Sequence, residues 1–181
     1  DRNHLGMAPV TSLPEPAGGR GKTLEGLLDL VHDRYWLQHK ILVTHYGTSG
    51  RYFFKDGKSR FAAFKKARQP VDYHGSIRGR LVVFDAKGTK NKTRWRLDAR
   101  YQHQVDRLVA WSRSGALAWF AVEQRVANRL WLLRVHPDML WATIDFSDPV
   151  SSDLLIVNPS PEGLYEWLPL VLDNWLRTVS L

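Results

Sequence analysis

The sequence predicts an α+β domain in which a mixed β-sheet is flanked by helices. Three observations lead there. Apolar residues at helical spacing alternate with short β-branched and aromatic runs bounded by Gly and Pro. The chain has 181 residues, of which 44% are hydrophobic and 12% aromatic, enough to bury one core. Read in order, the elements run α, β, β, β, α, β, β, α.

Pro14, Pro16, Gly18, Gly19 and Gly21 make residues 1–20 a flexible arm. Residues 1–6, DRNHLG, precede Met7 and are expected to be a foreign leader outside the fold. Thr23 is a suitable N-cap for a helix running to about Gln38, with Leu24, Leu27, Leu28, Leu30, Val31 and Tyr35 as its apolar face. Residues 41–45 read as a strand. Residues 46–67 are too long for a structureless loop, and Ser59 is expected to cap a short basic helix over 60–67, stopped before Pro70. Residues 71–74 and 80–86 read as strands, joined by a connection with Gly75 and Gly79 at its ends. A polar, basic loop over 89–93 follows. Residues 99–112 read as a helix with Tyr101, Val105, Leu108 and Val109 on one side, ended near Gly115. Residues 116–123 and 129–135 are apolar strands, and 139–146 adds another. Ser160 and Pro161 are expected to open a helical segment that Pro169 kinks or divides. Residues 21–181 are thus expected to form one domain, with 46–68 as an insertion.

Charge is concentrated rather than spread. The net charge is +8, yet residues 51–100 alone hold 15 Lys and Arg against 4 Asp and Glu. Tyr52, Phe53, Phe54, Phe61, Phe64 and Trp95 are interleaved with these cations. A scattered excess would read as a solvated face. Cations mixed with rings in one segment point instead to a polyanion, because ammonium and guanidinium groups neutralise phosphates while rings stack on bases. Phe61 and Phe64, three apart, read equally well as core residues of a small subdomain.

Several classes of chemistry are excluded. With no cysteine there is no disulfide framework, thiolate zinc site or cysteine nucleophile. The most apolar stretches, such as 116–122, fall far short of the roughly 18 residues that a membrane helix requires. Gly21-Lys22-Thr23 before a helix suggests a phosphate-binding loop, but Pro16 stands where the first glycine is needed and no strand precedes it. The seven histidines offer no HExxH pair.

An acid pair with a lysine remains: Asp72 near one strand, and Asp85-Ala86-Lys87 on the next. The acid-x-Lys triplet is unspecific, and Asp56-Gly57-Lys58 is a second copy. The first follows Leu81-Val82-Val83-Phe84, so it ends an apolar strand, and period two puts Asp85 and Lys87 on one face. If the two strands pair, Asp72 approaches that face. Converging carboxylates repel unless a cation sits between them, and hard oxygen ligands suit Mg²⁺ or Mn²⁺. Such a centre can polarise a phosphodiester, with Lys87 orienting water or offsetting negative charge. The ordinary alternative is a salt bridge at a strand end. Glu25, in the first turn of the first helix, suits the helix dipole without any further role, and Gln104 reads as a surface amide unless its helix packs beside the sheet.

Taken together, Asp72-Tyr73-His74-Gly75, Gly79-Arg80, the run from Phe84 through Asp85-Ala86-Lys87-Gly88-Thr89-Lys90-Asn91-Lys92 to Thr93, and His103-Gln104 closely resemble the RecU-type Holliday junction resolvases of the PD-(D/E)xK nuclease superfamily. Gly21-Lys22-Thr23-Leu24-Glu25 is similar to the first helix of that family. The resemblance implies a restriction-endonuclease-like core and a homodimer that cuts four-way DNA junctions with Mg²⁺, Mn²⁺ substituting. It implies Asp72 and Asp85 as metal ligands, Lys87 as the catalytic lysine, Glu25 as an auxiliary acid and Gln104 as an active-site amide. Asp85 stands where the family more often has glutamate, which shortens the arm by one methylene. Residues 46–68 correspond to the family's stalk, here shorter and differently composed. DNA contacts are expected from Arg51, Lys55, Lys65 and Lys66 there, and from Arg80, Lys90, Lys92, Arg94 and Arg96. The implied setting is the cytoplasm of a bacterium or of a phage-infected cell. The readings left beside a junction nuclease are a non-catalytic junction-binding accessory protein and a repair or restriction-type nuclease of the same superfamily.

Overall fold

A computed structural model describes residues 23–39, 41–45, 71–148, 151 and 153–176, together with the backbone of 50–55 and 58–63. The arm over 1–20 lies outside the described residues. In chain order the elements are α1 (Leu24–His39), β1 (Leu42–His45), β2 (Gly50–Lys55), β3 (Lys58–Ala63), β4 (Tyr73–Ile77), β5 (Arg80–Thr89) and β6 (Arg94–Arg96). After a single 3-10 turn at Ala99–Tyr101 come α2 (Gln102–Arg113), β7 (Leu117–Gln124), β8 (Arg129–Arg134), β9 (Thr143–Asp145), β10 (Leu154–Val157) and α3 (Leu168–Asn174).

Six strands form the main sheet in the order β1-β4-β5-β7-β8-β10. All neighbours are antiparallel except β5 and β7, which run parallel because α2 carries the chain back between them. The expected mixed sheet flanked by helices is therefore the architecture observed. One face packs against α1 and the C-terminal segment around Trp167 and Trp175; the other packs against α2 and the small β6-β9 ribbon.

Helix α1 forms where the sequence places it. Thr23 Oγ1 accepts the Gly26 amide at 3.2 Å, the N-cap bond. Leu24, Leu27, Leu28, Val31, His32 and Tyr35 then recur on one buried stripe. The far end of α1 is tied to the C-terminal segment: Arg34 reaches Glu162 and Glu166 at 2.6 Å each, and Tyr35 Oη accepts the Leu168 amide at 3.0 Å.

Four expectations require correction. The basic helix expected over 60–67 is overturned at 60–63, which belong to β3 paired antiparallel with β2, Lys55 opposite Lys58; residues 64–67 lie outside the described residues. The intervening Asp56-Gly57 has the composition of a two-residue hairpin turn, a signal that outweighs one capping serine. The connection between β4 and β5 is not 75–79 but Arg78-Gly79, whose φ values of 50° and 76° are both left-handed. Gly75 is instead inside β4, where a Cβ would lie 2.3 Å from the Leu42 carbonyl oxygen, so glycine lets β1 approach. The strand expected over 139–146 contracts to β9, paired with the unforeseen β6. Last, Ser160 and Pro161 open a turn, closed by the Gly163 amide on the Ser160 carbonyl at 2.8 Å with Gly163 at φ 78°. Helix α3 starts later, and Pro169 lies in its first turn, where a missing amide costs nothing, rather than dividing it.

Candidate active site

The register between β4 and β5 assembles the acid pair. Tyr73 stands opposite Phe84, so one step further Asp72 stands opposite Asp85, just where β4 begins and β5 runs on alone against β7. Two reciprocal bonds lock the carboxylates together. The Asp72 amide donates to Asp85 Oδ1 at 2.8 Å, and the Ala86 amide donates to Asp72 Oδ2 at 2.9 Å. Lys87 Nζ lies 3.3 Å from Asp72 Oδ2 and donates to the Ala86 carbonyl at 3.1 Å. Asp72, Asp85 and Lys87 therefore share one site, tied together through the main-chain amide and carbonyl of Ala86.

The two acids live in different environments. Asp72 is a third exposed, whereas Asp85 is 2% exposed. Its Oδ2 is buried and has no hydrogen-bond partner among the described residues. Burial pushes the Asp85 carboxyl up to about 6, with Asp72 adding to the rise and Lys87 opposing it. A negative charge there is costly alone and becomes favourable beside a cation.

This donor set fits a hard divalent ion: two carboxylates, one of them with a buried oxygen that has no partner among the described residues, and a main-chain carbonyl. Among the described residues, no three His, Asp or Glu side chains cluster to hold a metal, so the remaining ligands would be backbone and solvent. Glu25 contributes no third acid to such a cluster. Its carbonyl accepts the Tyr73 hydroxyl at 3.2 Å, and that hydroxyl also lies 3.1 Å from Asp29 Oδ1. Gln104 sits in the first turn of α2, which packs on β5 and β7, and its Oε1 is buried without a hydrogen-bond partner among the described residues.

The basic residues fall into separate places. Lys90 and Lys92 are exposed on the loop leaving β5, and Arg94 and Arg96 are exposed on β6. Arg94 pairs with Asp145 at 3.3 Å, and Arg96 lies over the Trp141 ring. Arg80 is not beside the acids. It borders a hollow of about 440 Å³ with Arg78 at the opposite end of β5, roughly 16 Å from Asp85 at strand rise. Arg51 and Lys55 lie on β2, and Lys65 and Lys66 fall outside the described residues.

Sequence reasoning missed the main-chain amide and carbonyl of Ala86, the Tyr73–Asp29 bond, and Arg125. An ideal Cβ on Gly88 would lie 2.7 Å from the Arg125 guanidinium, so the glycine after Lys87 makes room for that group. The backbone groups follow from pairing rather than residue type, whereas Gly88 directly after Lys87 was a readable sign of close approach.

Paired carboxylates and an ammonium group on adjoining strands of a mixed sheet are the class of centre that binds a divalent cation. The comparisons give the lineage. A family model described as RecU: Recombination protein U matches residues 19–144, and the chain belongs to that family. The Holliday junction resolvase RecU of Geobacillus sp. (strain WCH70) is 33% identical over 132 residues, covering 68% of this chain and 65% of the relative. That of Pediococcus pentosaceus is 31% identical over 130 residues, covering 68% and 64%. Against these two, the chain spans just under two thirds of the relative's length. The Staphylococcus carnosus protein of the same name is 31% identical over 172 residues, 90% of this chain and 81% of the relative. Among solved structures, Archaeoglobus fulgidus Hjc, a Holliday junction resolvase, matches at a TM-score of 0.37 and 18% identity over 64% of this chain and 80% of that one, a likeness too distant to carry an argument. No described helix is long and apolar enough to cross a membrane.

Proposed function

We propose that this protein is a structure-selective endonuclease that resolves four-way DNA junctions by metal-dependent phosphodiester hydrolysis. One observation carries the reading: Asp85 Oδ2 is buried beside Asp72 and Lys87 with no partner among the described residues, an arrangement that is costly unless a cation joins it. Family membership supports the substrate, since the relatives bear the name Holliday junction resolvase.

Asp72, Asp85 and the Ala86 carbonyl would hold Mg²⁺, or Mn²⁺ in its place. The chemistry supplied by that ion when bound is polarisation of the scissile phosphate and easier ionisation of water. Asp72 and Asp85 fix the ion's position, and the Asp72 and Ala86 amides fix the carboxylates. Lys87 Nζ lies 3.3 Å from the Asp72 carboxylate, a place from which it would orient water and offset charge as the phosphorus gains its fifth oxygen. Gln104 supplies a neutral amide from α2. Water attack breaks the P–O3′ bond and leaves a 5′-phosphate and a 3′-hydroxyl. Lys90, Lys92, Arg94 and Arg96 grip flanking phosphates, a sequence-independent and salt-sensitive contact. Residues 21–181 act as one restriction-endonuclease-like nuclease domain, with 46–68 as its stalk, in the bacterial or phage-infected cytoplasm. A homodimer presents two such sites, matching the two-fold symmetry of the junction.

The test is cleavage of synthetic four-way, forked and linear DNA with Mg²⁺, Mn²⁺ or EDTA. Expected are metal-dependent cuts in two opposed strands of the four-way substrate. Asp72→Asn, Asp85→Asn and Lys87→Ala should each lose at least about 10³-fold in rate while still shifting the junction in a gel. Wild-type rates in these variants would reject the site. Junction binding by the wild type with no cleavage in any metal would leave a binding protein, and preference for linear duplex a repair or restriction-type nuclease.

A further inference from the structure

Away from the acid pair, the described surface carries an aromatic patch at the join of α2 and the 136–142 loop. Leu140 is 76% exposed, and Tyr101 and Trp141 are each 45% exposed. Trp141 is not a displaced core residue. Its neighbours Ala142 and Ile144 are buried, so alternation turns Trp141 outward while the core beneath is filled.

The patch is held firmly. Gln102 Nε2 donates to the Leu140 carbonyl at 2.7 Å and lies 3.1 Å from Asp106 Oδ1, fastening the loop to the first turn of α2. The Leu97 amide donates to the Ala142 carbonyl at 3.0 Å, fastening it to β6 as well. Both rings already receive a planar cation on the face. Arg96 Cζ is 5.0 Å from the centre of the Trp141 ring, and Arg100 Cζ is 5.8 Å from that of Tyr101. Arg100 is also bound to Asp98, whereas Arg96 has no carboxylate partner among the described residues.

The position of the patch indicates what it receives. Tyr101 precedes Gln104 by one helical turn, and the basic run Lys90, Lys92, Arg94 and Arg96 follows Lys87 in sequence and ends with Arg96 on the Trp141 ring. A nucleic-acid backbone following those cations brings its bases to the rings. In a duplex the base faces are covered by their stacked neighbours, so an open face exists only where stacking is interrupted, as at the point where four arms meet. The geometry points to a base-stacking platform built on Trp141 and Tyr101, with Arg96 beside it, which takes a base whose face is exposed at the branch of the DNA. This deepens the function proposed above and rests on it. The platform would make branched DNA preferable to linear duplex without base-specific hydrogen bonds.

The experiment places 2-aminopurine at the crossover of a synthetic four-way junction, and mid-arm as a control, with EDTA present to prevent cleavage. Wild-type protein should quench the crossover probe and leave the mid-arm probe unchanged. Trp141→Ala should lose most of the quenching and bind the junction about ten-fold more weakly, consistent with stacking on one base. Binding to linear duplex should change less than two-fold. Trp141→Phe, which keeps a ring face, should restore quenching, whereas Trp141→Leu, which keeps only apolar bulk, should not. Full quenching in Trp141→Leu, or no quenching by the wild type at any position, overturns the platform. So does a change of oligomeric state in the sedimentation of Trp141→Ala with quenching intact, which would give the patch to a second copy of the chain. Wild-type cleavage with Mg²⁺, run in parallel, keeps the two readings apart. Cleavage without quenching removes the platform alone; failure to cut or bind the four-way substrate removes the function on which it rests.

Discussion

His32 and Asp85 are ionisable groups shut away from water on opposite faces of one sheet, and burial moves their titration in opposite directions. His32 is 4% exposed in a nest of Tyr35, Tyr73, Phe84 and Trp167, and neither ring nitrogen has a hydrogen-bond partner among the described residues. Burial, aided by His45, lowers it to about 3, so it is a neutral ring that fills space. Asp85 has one oxygen on the Asp72 amide and Lys87 nearby, and its other oxygen lacks a partner among the described residues. Burial alone does not mark a functional group. What marks one is burial beside groups that prepare it for a charged visitor.

The sharpest way to break this contrast is Asp85→Asn. The folded carboxyl titrates near 6 against an ordinary 3.8, so its contribution favours the fold in acid and is lost as pH rises through 6. Asparagine at pH 8 should therefore abolish cleavage and raise stability in EDTA by about 1–3 kcal/mol, read from urea denaturation. A loss of stability would show the carboxylate serving the fold rather than the site.

His32→Phe should do the reverse, leaving cleavage within about two-fold while removing acid sensitivity. Between 6.5 and about 3 the unfolded chain takes up a proton that the folded chain refuses. Stability from this position is thus complete above 6.5 and falls with pH, by about 2–3 kcal/mol at pH 4.5. Denaturation midpoints at pH 7.5 and 4.5 should differ less in the variant, and an unchanged difference would refute the assignment. The smallest effect belongs to the surface. Arg34→Ala removes two ion pairs with well-exposed glutamates and should cost about 1 kcal/mol, less at high salt, in thermal melts.

The acid pair was legible because it depends on a hairpin, two adjacent strands and period two, all local in sequence. Helices α1 and α2 and strands β5, β7 and β8 were legible from apolar spacing. The β6-β9 ribbon was not, since two strands of three residues, about fifty positions apart, leave little local pattern. Gly75 was read as a turn because its real reason, the nearness of β1, is a tertiary contact. Trp141 looked like part of a strand because an apolar run does not reveal which residue turns outward.

Asp72 and Asp85 are carried on a hairpin closed by Arg78-Gly79, so their mutual registration is settled within fourteen residues of chain. The parallel neighbour β7 can join only after α2 has spanned the gap. On a growing polypeptide, the chemical centre can thus acquire its geometry early, and the later half of the molecule supplies its enclosure.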